Sequence, residues 1–369
     1  MIPPVKINFY ENDINEIQQK ITEVLQSGML TLGKYGKQLE EEFASLTNSQ
    51  HAISTANGTC SIEIILRCLN LKDKEVILPT NTFLATYLAA KSAGCKIKFV
   101  DCEEDLNMSL QQVKDAITEN TAAVILVHIG GAVAVDTMAI ASLCEDKNIY
   151  LVEDAAHAHG SYLNGKHAGT FGIAGSFSFY PTKVITSGEG GIIITDNEDI
   201  AQRAKVFRDQ GKAGFLGNIH TELGYNWRMS ELHAVVGIYQ VRRLLEFTQQ
   251  RRDIAKVFDE KLSNTKFKLH KVADPEKSNY YKYILYLPEG TDRVEFKKKM
   301  RENGVILGGE VYELPIHLQP VVKDIEGTKE GDFPKAEKFC SQHICLPVFP
   351  GMTEDQVNTV IEKLIQVIA

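Results

Sequence analysis

The feature that most limits what this chain can become is an alternation of short apolar segments with helix-patterned ones between residues 52 and 153. Strands are expected at 52–55, 75–78, 96–101, 122–128 and 150–153, and helices at 60–69, 82–93 and 135–146. Strand and helix in turn imply a largely parallel sheet with helices on both faces. The run Ala123-Val-Ile-Leu-Val127 shows no polar alternation, which suits a strand buried on both sides. Ahead of this region, Asp13 and Glu16 resemble a capping box. Ile14, Ile17, Ile21, Val24 and Leu25 then share one helical face, and Gly28 ends it. A second helix fits residues 37–46.

The rhythm changes after residue 153. Ser176-Phe-Ser-Phe-Tyr180 and Gly191-Ile-Ile-Ile-Thr195 read as adjacent strands, and 230–262 as one long connecting helix. Strands at 266–270 and 280–287 follow, then helices at 293–302 and 354–368. A chain of 369 residues exceeds the usual span of one domain. The boundary is expected near Gln250, giving a large domain over 1–250 and a smaller α+β domain over 251–369.

The balance of 40 basic against 48 acidic residues leaves a net charge of -8, with no Lys/Arg-rich run. A duplex-binding protein needs a basic face, so nucleic acid is not an expected partner. An anionic ligand must instead be held locally, by backbone N–H groups and a few chosen side chains. The seven cysteines are odd in number, scattered and without C-x-x-C, which reads as reduced thiols and no metal site. The N-terminus lacks an apolar signal core, and no apolar run reaches the length of a membrane span. A cytoplasmic protein with no membrane partner is expected.

The chemistry concentrates between Val152 and Gly191. Asp154 ends an apolar strand, and Lys183 lies just past another, on a loop opened by Pro181. Ligands of open α/β sheets sit beyond the carboxyl ends of the strands. A carboxylate and a lysine delivered from separate strand ends suit pyridoxal phosphate. That cofactor needs an amine for its aldehyde and an acid beside its pyridine nitrogen. Asn57-Gly58-Thr59 opens a helix whose N-terminus is a ready anion site, and Ser178 adds a hydroxyl. Each residue also has a plainer reading: helix cap, solvated lysine or strand serine.

In their order along the chain these segments resemble the DegT/StrS family of pyridoxal-phosphate-dependent nucleotide-sugar aminotransferases, of the aspartate aminotransferase superfamily, fold type I. The resemblance rests on Gly28 to Gly33 with Leu39–Phe43, Asn57-Gly58-Thr59, and Pro79-Thr-Asn-Thr-Phe83-Leu-Ala85-Thr86. It continues through Glu153-Asp-Ala-Ala-His157, Phe177-Ser-Phe with Lys183, and Gly188-Glu-Gly-Gly191. It closes with Gly224-Tyr-Asn226-Trp-Arg228-Met-Ser-Glu-Leu, Pro315-Ile-His317-Leu-Gln-Pro320 and Leu346-Pro-Val-Phe-Pro-Gly351. The fold it implies is α/β, with a mostly parallel mixed sheet sandwiched by helices in the large domain and a smaller C-terminal α+β domain.

The resemblance also implies roles. Lys183 matches the Schiff-base lysine and Asp154 the partner of the pyridine nitrogen. Phe83 matches the ring that stacks on the cofactor. Gly58, Thr59 and Ser178 match phosphate ligands. Asn226 matches the residue that reaches the cofactor of a neighbouring subunit, which implies a homodimer with shared sites; the alternative for Asn226 is a cap for the helix at Ser230. His317 and Arg228 are expected to touch substrate, with a structural loop histidine as the alternative for His317. His157 stands where the family often has Gln, near the cofactor's 3-oxygen. Two further departures are His128-Ile-Gly-Gly131 in place of His-Leu-Tyr-Gly, and Val-Ile-Thr-Ser after Lys183.

The implied reaction moves an amino group from an amino acid, by family habit L-glutamate, to a nucleotide-linked keto sugar. Its product would serve a cell-surface polysaccharide such as the lipopolysaccharide O-antigen, or a natural product. Alternatives are a pyridoxamine-dependent sugar dehydratase, which would carry His in place of Lys183, a cyclitol aminotransferase, and a non-enzymatic regulator on the same fold. A nicotinamide dehydrogenase lacks its G-x-G-x-x-G after the first strand.

Overall fold

The computed structural model describes residues 1–214, 218–274, 277–323 and 325–368. Helices α1 (Glu11–Ser27) and α2 (Lys34–Thr47) precede β1 (His51–Thr55) and α3 (Gly58–Cys68). The alternation continues with β2 (Glu75–Pro79), α4 (Leu84–Ser92), β3 (Lys96–Val100), α5 (Leu110–Ala116), β4 (Thr121–Val127), α6 (Thr137–Asp146) and β5 (Tyr150–Asp154). A small hairpin, β6 (Tyr162–Leu163) with β7 (Lys166–His167), leads into β8 (Ala174–Ser178), β9 (Gly191–Thr195) and α7 (Glu198–Arg208).

Seven strands form one sheet in the order β1-β9-β8-β5-β4-β2-β3. Pairing is parallel from β3 through β2, β4 and β5 to β8, and antiparallel on both sides of β9. Only β9 is therefore reversed, so β1, β2, β4, β5 and β8 all end on the same edge. The core of β4 is buried on both faces, with Ala123, Val124, Ile125 and Leu126 all at 0% exposure, as its unbroken apolar run demands.

Helix α8 (Glu231–Leu262) spans 32 residues. Its first half packs Val235, Ile238, Leu244 and Phe247 with the core of the large sheet. Its second half packs Ile254, Ala255, Phe258 and Leu262 in a separate cluster. Gln250, where sequence places the boundary, lies inside the helix, between the two cores. That second cluster is built on a three-stranded antiparallel sheet of β10 (Lys268–Leu269), β11 (Tyr283–Tyr286) and β12 (His343–Leu346). Helices α9 (Arg293–Glu302), α10 (Pro334–Gln342) and α11 (Glu354–Ile368) complete this part. Ile2 at the other end of the chain joins the same cluster and pairs with Val305.

Two buried carboxylates fix the edge where the strands end. Glu153 accepts from Gly169 N–H (2.7 Å) and Gly172 N–H (2.7 Å), and lies 2.8 Å from His128 Nε2. It thus ties the end of β4 to the loop entering β8. Glu231, at the start of α8, accepts from the N–H groups of Gly33, Tyr35 and Gly36 (2.8–3.0 Å), which caps α2 across the fold.

Two buried histidines make stability depend on pH. His167 Nε2 accepts from Gly160 N–H at 3.0 Å while Nδ1 sits 2.5 Å from the Ala168 carbonyl. His343 Nε2 accepts from Val311 N–H at 2.9 Å, with Nδ1 2.7 Å from the Phe339 carbonyl. Each ring is satisfied only as a neutral tautomer, and burial lowers both pKa values to about 4. An unfolded histidine takes up its proton near pH 6.5. Between pH 6.5 and 4 the unfolded chain therefore binds protons that the folded chain does not. Stability must fall as pH falls through that window, by up to about 1.4 kcal/mol per pH unit for each ring. Urea unfolding at pH 7.5, 6 and 5 checks this: the midpoint should drop steadily, and a constant midpoint would refute the assignment.

Among the described residues no helix is long and apolar enough to cross a membrane. No group of His, Cys, Asp and Glu among them is placed to hold a metal. All seven cysteines are free and buried.

Candidate active site

The shared strand edge opens into a cavity of about 720 Å³ lined by both sheets' parts of the chain. Asp154, the last residue of β5, lies at its floor and is 7% exposed. Its Oδ2 accepts from Thr86 Oγ1 (2.7 Å) and its Oδ1 from Ala156 N–H (3.2 Å). Burial raises its pKa; the Thr86 and Ala156 bonds and the nearby Lys183 act in the opposite sense. Lys183 opens onto the cavity from the loop after β8, where its N–H donates to the Tyr180 carbonyl (2.9 Å). Its Nζ sits over the ring of Tyr281, 5.1 Å from the centroid. Burial pushes the Lys183 ammonium below the ordinary lysine range. Tyr281 and Asp154 pull it back up, and Lys282 lowers it further. A larger neutral fraction is the state a nucleophile and base requires.

On the opposite wall, Asn57 caps α3, its Oδ1 accepting from Cys60 N–H (2.9 Å). The first-turn amides of Gly58 and Thr59 have no acceptor within the helix and face the cavity beside Ser178. A Cβ on Gly58 would come within 3.0 Å of Ser178 Cβ, so only glycine lets the helix N-terminus approach that strand end so closely. His157 is buried and its Nδ1 has no hydrogen-bond partner. Its pKa is driven well below 6.5, first by burial and then by the charges of Lys183 and Lys282, so the ring is neutral. Phe83 holds an apolar ring 63% exposed at the cavity mouth, stacked on Tyr312 at 6.4 Å.

This donor set fits pyridoxal phosphate. Unfilled helix amides and a hydroxyl suit a phosphate, an amine suits an aldehyde, and a buried carboxylate suits a pyridinium nitrogen. The unpartnered His157 Nδ1 and the exposed Phe83 face supply the polar and stacking contacts a flat ring needs.

Seven of the residues singled out by sequence thus line one cavity: Gly58, Thr59, Phe83, Asp154, His157, Ser178 and Lys183. Three do not. Asn226 is exposed on a strip that pairs with Asp209, and the adjacent Trp227 carbonyl accepts from Ala56 N–H beside Asn57 (2.8 Å). Arg228 is bound to Asp209 at 2.5 Å. His317 is fully buried, with Nδ1 2.7 Å from Thr80 Oγ1 and Nε2 3.0 Å from Glu337, so it turns no free polar atom towards the cavity.

Tyr281, Lys282, Glu310 and Tyr312 line the cavity without any signal in the sequence reading. Tyr281 is positioned by Asn279, whose Nδ2 donates to the carbonyls of His157 and His159 (2.8 Å each) and whose Oδ1 accepts from Tyr281 N–H (2.8 Å). At Gly130, where the resemblance leads one to expect tyrosine, φ is +70° and a Cβ would come 2.9 Å from Ile284 Cδ1 of β11.

Comparison with known proteins agrees with this geometry. Residues 11–365 match the DegT/DnrJ/EryC1/StrS aminotransferase family. A pleiotropic regulatory protein of Geobacillus stearothermophilus is 35% identical over 96% of this chain and 95% of its own length. The GDP-perosamine synthase of Vibrio cholerae is 30% identical over 96% of this chain and 97% of its own. The crystal structure of S. venezuelae DesV in complex with a ketimine intermediate superposes with a TM-score of 0.92, covering 99% of this chain and 98% of that one at 28% identity.

Proposed function

Since the chain belongs to the DegT/DnrJ/EryC1/StrS aminotransferase family, a family of sugar aminotransferases, we propose that it transfers an amino group from an amino acid, L-glutamate by preference, to a nucleotide-linked keto sugar, using pyridoxal phosphate. Bound in the cavity, that cofactor supplies an aldehyde that condenses with amines and a ring that withdraws electrons from the amine-bearing carbon.

The remaining chemistry belongs to the chain. The amides of Gly58 and Thr59 and the Ser178 hydroxyl hold the phosphate. Phe83 would cover one face of the ring, and His157 Nδ1 would be the partner for its oxygen. Asp154, which accepts from Thr86, would keep negative charge beside the ring nitrogen and favour its proton. Lys183 Nζ would hold the aldehyde at rest, and its free amine would serve as base for the proton on the donor's α-carbon and then, as acid, return it on the far side of the nitrogen. The same residue would serve the sugar half of the reaction in the opposite sense. A cytoplasmic homodimer is part of the proposal: the exposed Asn226 lies beside the exposed apolar side chains of Leu223 and Tyr225, which supports a second copy covering this strip.

The observation that carries this reading is the convergence of Lys183, Asp154 and the α3 N-terminus on one cavity. Lys183 also weighs against the dehydratase alternative, whose chemistry requires that no lysine trap the cofactor. The test is release of 2-oxoglutarate from glutamate, scored against nucleotide-linked 3-keto and 4-keto sugars. Product with at least one sugar, parallel double-reciprocal lines and a dimer in sedimentation are expected. Sugar deoxygenation without amination, or converging lines, would overturn it.

A further inference from the structure

Among the described residues, two cationic side chains line the cavity, Lys183 and Lys282. His157 does not join them, because it is neutral. Lys282 is rooted firmly. Its N–H donates to the Gly130 carbonyl (2.9 Å), and the preceding Tyr281 is tied through Asn279 to the loop after Asp154. Its Nζ lies 5.3 Å from the Tyr281 ring centroid, the same ring that Lys183 Nζ approaches at 5.1 Å. One phenol therefore stands beside both ammonium groups. Burial raises the Tyr281 pKa, but the two lysines and the Thr182 hydroxyl outweigh burial and leave it below the usual phenol value.

The charge of Lys282 is not neutralised by the protein. The Gly309 carbonyl lies at a long 3.5 Å, and no carboxylate of the described residues comes within ion-pairing distance. Of the carboxylates that line the cavity, Glu310 is already engaged by Lys297 at 2.8 Å and Arg293 at 3.5 Å, and the exposed Glu189 makes no ion pair with Lys282. Asp154 is engaged by Thr86 and Ala156.

We propose that Lys282 anchors the carboxylate of the amino donor. This rests on the aminotransferase reading. An amino acid necessarily carries a carboxylate close to the nitrogen it gives up, and enclosing that anion without a cation is costly. Lys183 must stay free to move protons, which leaves Lys282 as this chain's partner for the carboxylate. The position selects for donors that carry a carboxylate beside the amine and against amines that lack one.

Lys282→Ala, Lys282→Gln and Lys282→Arg in the cofactor-loaded protein test this, with donor and sugar concentrations varied independently. The Ala and Gln variants should raise the donor KM about 10- to 100-fold, leave the sugar KM within about threefold, lower the saturated kcat far less than the donor KM rises, and be largely rescued in the Arg variant. A rise in the sugar KM instead would place the anion on the acceptor and overturn the assignment, as would unchanged donor kinetics. Titration calorimetry with 2-oxoglutarate gives a readout without turnover. Weaker binding to Lys282→Ala than to the unaltered protein supports the anchor; equal binding, or none to either, refutes it. Should the unaltered protein aminate no sugar, the aminotransferase reading fails by itself, and calorimetry still decides the fate of the anchor.

Discussion

Alanine at position 183 lowers kcat by about 10⁴-fold, the full contribution of a well-placed acid-base group, while the fold survives. The side chain lines the cavity and forms no ion pair among the described residues, so its removal leaves the sheet, α3 and the Glu153 network in place. What disappears is the amine that carries the proton between donor carbon and cofactor. Lys183→Arg separates this from a charge effect. Arginine keeps a cation above Tyr281, but it cannot lose its proton near neutrality. Both variants should be inactive, with unchanged unfolding midpoints. Activity within tenfold of the unaltered protein in either one would remove Lys183 from the reaction.

The second large effect is expected at Asp154. Asparagine keeps the shape and the volume, and it can still accept from Thr86 or Ala156. It cannot carry the charge that holds a proton on the ring nitrogen. Preorganised charge of this kind is worth about 10²- to 10³-fold in kcat when a single donor or acceptor is removed. Steady-state kinetics of Asp154→Asn should show that loss mainly in kcat, with the donor KM moving far less. A KM effect with normal kcat would mean that the carboxylate only helps to position the substrate.

The large sheet was legible because burial writes itself plainly on strands enclosed on both faces. The segment 122–128 could hardly be anything else, and α9 and α11 begin and end as their periodicity implies. The long helix from Ser230 also stands, since nothing in 231–262 breaks it. Boundaries moved where side chains compete with the backbone. The strand expected from Tyr280 starts only at Tyr283, because Asn279 and the Gly130 carbonyl take the N–H groups of Tyr281 and Lys282. The helix expected from Thr82 starts at Leu84, leaving Phe83 extended at the cavity mouth.

Helices α5, α7 and α10 and strands β6, β7 and β12 were not anticipated. Two of them carried usable signals: Ser109 and Gln112 form a full capping box on α5, and Asn197 caps α7. Gly58, Thr59, Asp154, Ser178 and Lys183 could be named from sequence because they flank strand ends, while Phe83 and His157 were named only through the family resemblance. Tyr281, Lys282 and Tyr312 could not. They reach the cavity only when α8 carries the chain into the second core and back against the first, and no local pattern records that return. His317 shows the reverse case: a histidine in a recognisable motif whose two ring nitrogens are consumed by Thr80 and Glu337.

The most direct test reads the bond itself. The cofactor-loaded protein is treated with borohydride, digested, and searched for a pyridoxyl group on lysine. A single adduct on Lys183 Nζ, with the neighbouring Lys282 unmodified, is the predicted result. An adduct on Lys282 or any other residue, or no adduct at all, would contradict the assignment of this cavity.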